Sequence, residues 1–387
     1  MESQPVTQIV TTFRRLVTSL MLAALLAAPL FSSSTGTALA AGGQPGAVYV
    51  MTNAATGNAI VFFNRSADGS LVVAGTVSTG GLGSGSGLGS QGALMLSDNQ
   101  RWLFAVNAGS NDISVFAVQP EGLQLVARTV SGGVRPVSIT MNRKILYVLN
   151  AGGSGNISGF TFDSKGNLLP LSGSTRPLSN DGIGAAPGPA QVSFSPDGRQ
   201  LVVTEKATNL IVTFQVEQHG LASSPTTHPS AGATPFGFAF SKRDTLVVSE
   251  AFGGAPNASA VSSYTLDDGN VQVINPSVPT HQTAACWVVI TANGKYAYTT
   301  NAGSGSISGY RLTEDGSLSL LNSDGQTGQT GPGSTPVDAA LSRNSQFLYV
   351  LTAGAHAIVT FQIGSDGTLT PLNQVVVPVG AAGIAAS

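Results

Sequence analysis

One phrase returns seven times along this chain and restricts its fold more than any other feature: a short apolar strand, a polar turn, a second apolar strand and a closing polar residue, most legibly Asn-Ala-Gly. The clearest copies are Leu103-Phe-Ala-Val-Asn107-Ala-Gly, Leu146-Tyr-Val-Leu-Asn150-Ala-Gly and Ala297-Tyr-Thr-Thr-Asn301-Ala-Gly, and weaker ones end at Asn53, Glu205, Glu250 and Thr352. Each copy runs on into a β-rich segment and then a polar hairpin, as in Ala67-Asp68-Gly69-Ser70, Glu314-Asp315-Gly316-Ser317 and Ser365-Asp366-Gly367-Thr368. Asp-Gly between apolar runs is a strong hairpin signal. Four strands per copy at a period of about 50 residues give one four-stranded antiparallel blade. No window sustains the 3.6-residue period of a helical solenoid. The expected fold is therefore all-β, a seven-bladed β-propeller.

The two ends of the repeat array predict how the ring closes. The first copy, near Ala47, starts directly with a second strand, while Gly380-Ala-Ala-Gly383-Ile-Ala-Ala-Ser387 resembles the inner strands that begin at Arg135-Pro-Val and Thr335-Pro-Val. The last strand is expected to complete the N-terminal blade and so leave no open sheet edge.

Ahead of the repeats, Arg14-Arg15, an apolar run from Leu16 to Leu30 and the small residues before Ala40 read as a cleavable export signal over residues 1–40. Residues 41–387 then form one propeller domain, secreted or extracytoplasmic and without a membrane span once the signal is removed. The sequence carries 48 glycines, only 9% charged residues and a formal charge of −2. Such a chain lacks the basic patch that nucleic acid demands. Cys286 is the single cysteine, so no internal disulfide forms. No pair of histidines has zinc-ligand spacing and no Gly-x-Ser-x-Gly elbow is present; neither metal nor cofactor is expected.

In a propeller blade, second strands end on the face where inner strands begin. That face gathers Asn53, Asn107, Asn150, Glu205, Glu250 and Asn301 with Gln91, Arg135, Gln191, Cys286, Trp287 and Asp338. Glu205 and Glu250 stand where the other copies carry Asn or Thr, with Lys206 beside the first, and are the expected catalytic pair, positioning water or shuttling a proton. Lys206, Arg135, Gln191, Asn107, Asn150, Asn301 and Trp287 are the expected substrate-binding set, although an Asn before Ala-Gly also caps turns. The connections 80–90, 176–189 and 325–334 reach the same face and are expected to form a lid or rim.

The phrases Tyr49-Val-Met-Thr-Asn53, Tyr147-Val-Leu-Asn150-Ala-Gly, Phe194-Ser-Pro-Asp-Gly198-Arg and Tyr298-Thr-Thr-Asn301-Ala-Gly make the chain similar to the β-propeller lactonases. That family includes 6-phosphogluconolactonases and 3-carboxymuconate-cyclising enzymes and overlaps with secreted YVTN-repeat proteins. The resemblance runs from about Ala47 to the end. It implies opening of a small, sugar-type lactone at the propeller mouth, with Glu205 at a second-strand end where members carry an acidic residue. Members also carry histidine and arginine near the inner strand of the fourth blade, where this chain reads Gly188-Pro-Ala-Gln191-Val-Ser-Phe. That difference motivates a rival reading, a non-catalytic propeller that binds carbohydrate, a cell-wall component or a partner protein.

Overall fold

The second strand of each repeat loses the polar–apolar alternation of an ordinary surface strand because both of its faces are covered by neighbouring blades. Gln200–Glu205 and Phe347–Thr352 are buried at every position, whereas the outer strand Leu71–Ser78 alternates and faces solvent. The computed structural model describes residues 46–387; the export signal expected over residues 1–40 lies outside them. Among the described residues no helix is long and apolar enough to cross a membrane.

Seven antiparallel sheets follow one another around the ring. From inner to outer strand, blade two is Leu94–Leu96, Trp102–Asn107, Asp112–Gln119 and Gly122–Val130. Blade four is Pro189–Phe194, Gln200–Glu205, Leu210–Gln215 and Thr226–Pro229. Blade five runs Pro235–Phe240, Thr245–Glu250, Ala260–Asp267 and Asn270–Pro279. The inner strands of blades three, six and seven are Pro136–Asn142, Ala285–Ile290 and Pro336–Leu341. In blades three and six the outer position is split, with Arg176–Pro177 and Gly328–Gln329 adding a second short pairing to the third strand.

Ring closure follows the sequence expectation. Ile384–Ala386 is the inner strand of blade one and pairs antiparallel with Gly46–Met51, Val50 opposite Ile384 and Val48 opposite Ala386. The Arg65 guanidinium donates to the Ser387 carbonyl at 2.9 Å, and the Ser387 hydroxyl lies 2.6 Å from the Ala47 amide.

The repeated tyrosines and hairpin glycines explain each other. Tyr298 donates its hydroxyl to the Gly367 carbonyl at 2.8 Å and Tyr349 to Gly69 at 3.3 Å, in each case from one blade to a hairpin of the next. Gly367 has φ +90°, and a Cβ there would lie 2.5 Å from the Tyr296 ring, so only glycine satisfies both the turn and the close approach. The Tyr-Val phrase is thus an inter-blade clasp as well as a buried strand.

Candidate functional site

Antiparallel pairing brings inner-strand starts and second-strand ends together: Pro189 lies opposite Glu205, Pro235 opposite Glu250, Pro136 opposite Asn150 and Ala285 opposite Asn301. The predicted residues therefore share one end of the ring, but their side chains part into two layers.

The first layer lies between blades and is fully buried. Glu205 accepts the Ser179 amide at 3.0 Å, the Ser179 hydroxyl at 2.5 Å and the Thr208 hydroxyl at 2.7 Å. Glu250 accepts the Gly232 amide at 2.8 Å and the hydroxyls of Ser277, at 2.7 Å, and Ser262. Desolvation raises the Glu250 carboxyl above its usual range, against the pull of these donors. Both carboxylates are 0% exposed and fasten a connection to a blade. Asn107 donates to Asp112 at 2.6 Å and Ser114 at 2.8 Å and accepts from Asn58 at 2.9 Å. Asn150 donates to Asn156 at 2.8 Å, and Asn301 donates to Ser308 at 2.9 Å. One geometry serves these positions: a polar group at the second-strand end ties down the third strand or the chain leading to the next blade.

The second layer joins the inner strands of adjacent blades. Two residues after a proline, blades three, four and seven carry Ser138, Gln191 and Asp338, and each reaches the next blade's inner strand. Ser138 accepts the Val192 amide at 3.1 Å, Gln191 bridges Phe238 N–H and C=O at 2.7 and 2.9 Å, and Asp338 accepts the Ile384 amide at 3.2 Å. Blade five has Gly237 at this position. Its missing bridge comes from Gln91, which arrives from blade two and accepts the Val288 amide at 3.0 Å while donating to the Val288 carbonyl at 2.7 Å. A Cβ on Gly237 would lie 2.2 Å from Gln91 Oε1, so the glycine opens the space that the glutamine fills.

Gln91 directly follows the connection 80–90, expected to form a lid or rim, and that connection does more than border the mouth. Its last residues enter the channel and touch several blades. The Gln91 amide donates to the Ala190 carbonyl at 3.0 Å, and the Ser90 hydroxyl donates to the Val137 carbonyl at 2.8 Å. Three predicted binding residues grip its carbonyls: Lys206 Nζ holds Gly89 at 2.5 Å, Trp287 Nε1 holds Ser90 at 2.9 Å and the Arg135 guanidinium reaches Gly87 at 3.4 Å. Lys206 also sits over the Phe236 ring, 4.5 Å from its centroid, and that ring packs on Trp287 at 5.0 Å. Burial lowers the Lys206 ammonium to about 8.

Beside this cluster lies a cavity of about 280 Å³ lined by Leu88, Trp287, Val337, Ala353, Ala381 and Ala382 together with glycines of both chain segments. Cys286 is buried next to it, its thiol pushed up to about 12 by desolvation, which makes it a packing residue and a poor nucleophile. Among the described residues no three His, Cys, Asp or Glu side chains gather as a metal site. A larger crevice, about 670 Å³, lies at the opposite ends of the strands between the hairpins of blades five and six, around Lys242, Arg243, Lys295 and Arg311. Its cations are exposed and one is already paired, Arg243 with Glu314 at 2.7 Å. Sequence reading missed Phe236, Gly237 and the reach of Gln91; the available signal was a glycine at the one post-proline position where three other blades carry a polar side chain.

Comparison with known proteins agrees with this architecture. The family model described as lactonase, seven-bladed β-propeller, matches residues 45–180, 171–251 and 250–383. The chain belongs to this lactonase family. No curated protein matches it in sequence. Among solved structures, a candidate 6-phosphogluconolactonase from Bacteroides uniformis is 18% identical, with 88% of this chain and 99% of that one covered and a TM-score of 0.70. The periplasmic gluconolactonase PpgL of Pseudomonas aeruginosa is 16% identical, with 88% and 98% covered and a TM-score of 0.68. At these identities the likeness concerns the propeller itself.

Proposed function

We propose that the chain hydrolyses a small lactone, of the sugar type that the family resemblance implies, at the mouth of the ring, and that it works after export. The observation that carries this reading is the match of the lactonase family over residues 45–383, all of the ring but its closing strand. The mouth adds suitable chemistry. Lactone opening needs a donor for the carbonyl oxygen and a group that handles the proton of the attacking water. Trp287 lines a small cavity and Lys206 donates to the Gly89 carbonyl at its edge, with the Lys206 ammonium lowered to about 8 by burial. Glu205 and Glu250, the expected acid–base pair, are fully buried and would act on the reaction through the connections that they fasten at Ser179 and Gly232.

Acid release in a pH-stat, from the mature protein on a panel of lactones, tests the reading. Turnover by the wild type is expected, with a loss of about tenfold or more in Glu205→Gln and Glu250→Gln at unchanged circular dichroism; a folded wild type inert on every lactone would sink it. The full engagement of both carboxylates favours the second reading, a non-catalytic propeller holding a carbohydrate, cell-wall component or partner protein. Retention on a surface polymer that survives Glu205→Ala, without lactone turnover, would decide for that reading. Export predicts a mature N-terminus directly after Ala40, and N-terminal sequencing of cell-free protein that begins at Met1 would count against it.

A further inference from the structure

The segment Gly87–Gln91 presents three carbonyls to side chains from three blades: Gly87 to Arg135, Gly89 to Lys206 and Ser90 to Trp287. Lys206, Phe236 and Trp287 form one stacked row under the last two. A cationic amine and an indole N–H on either side of the Phe236 ring, the indole lining a small cavity, are a costly arrangement to bury unless something accepts from them. In the closed ring the protein's own backbone does so.

We infer that Gly89-Ser90 occupies the mouth as an internal ligand, and that Lys206 and Trp287 are the donor pair for the oxygens of a small cyclic ester or amide that displaces it. This deepens the lactone reading and rests on it for the reaction. Release of the segment breaks four further hydrogen bonds, two from the Gln91 side chain to Val288, one from the Gln91 amide to Ala190 and one from the Ser90 hydroxyl to Val137, of which the Gln91 side-chain pair is the latch that a single substitution removes. A ligand that must expel the loop binds with its intrinsic affinity reduced by the fraction of molecules already open. Weakening the latch therefore tightens binding.

The test uses δ-valerolactam, an unhydrolysed probe, and δ-valerolactone. In a Trp102→Phe background Trp287 is the single indole, since the chain has two tryptophans. Saturable quenching or enhancement of its fluorescence by the lactam is expected, about fivefold tighter in Gln91→Ala and about tenfold weaker in Lys206→Met. In the wild type, saturating lactam is expected to speed hydrogen exchange of the Gln91 and Val288 amides, a readout independent of how either variant folds. Absent binding, unchanged or slowed exchange at those amides, or an affinity indifferent to Gln91→Ala overturns the internal-ligand assignment. Lactam binding with loop release but no lactone hydrolysis would sink the hydrolase reading and leave the assignment standing. Lactone hydrolysis with a KM indifferent to both substitutions would do the reverse.

Discussion

Lys206 shows how far a single buried cation shapes this mouth. The folded chain releases its proton near 8, whereas the unfolded chain holds it to about 10.5. Unfolding between those values takes up a proton, so stability climbs as pH rises through that window. Lys206→Met is expected to flatten the climb in urea titrations at pH 8 to 10.5; an unaltered slope would show that another group is responsible. Glu205 and Glu250 illustrate the opposite economy. Their acidic character was visible in the sequence, and what they bind was not, because the partners Ser179, Gly232 and Ser277 lie in connections whose course no local pattern dictates.

At the scale of strands and hairpins the sequence was highly legible. Asp-Gly turns and runs such as Leu201-Val202-Val203 are local signals, and closure by the last strand followed from the half-repeat at each end. The mouth was legible only as a list of residues sharing one end of the ring. Its decisive contact joins Gln91 to Val288 across 197 residues, beyond the range of any repeat or periodicity. The seam between blades seven and one offers a pH test of its own. Burial raises Asp338 to about 8 from an ordinary 3.8. Unfolding then releases a proton at intermediate pH, so the seam's stability is full below about 4 and declines as pH rises through 8. Asp338→Asn is expected to remove the decline and to match or exceed the wild type above pH 8, as measured by thermal melts across pH; a decline that persists would place its origin elsewhere.

For the whole molecule, closure is the feature on which the other contacts depend. Removing Ile384–Ser387 deletes two buried side chains, takes away the carbonyl that Arg65 holds and bares the edge of Gly46–Met51. A loss of about 3 kcal/mol and concentration-dependent association are expected, measurable by denaturant unfolding and size-exclusion chromatography; an equally stable monomer would refute this. Because the first and last strands of blade one stand some 340 residues apart in the chain, a growing polypeptide has nothing to close upon until its final strand has left the ribosome. Synthesis therefore delivers an open string of blades, and the ring becomes a ring in one late step, wherever the chain happens to be when that strand arrives.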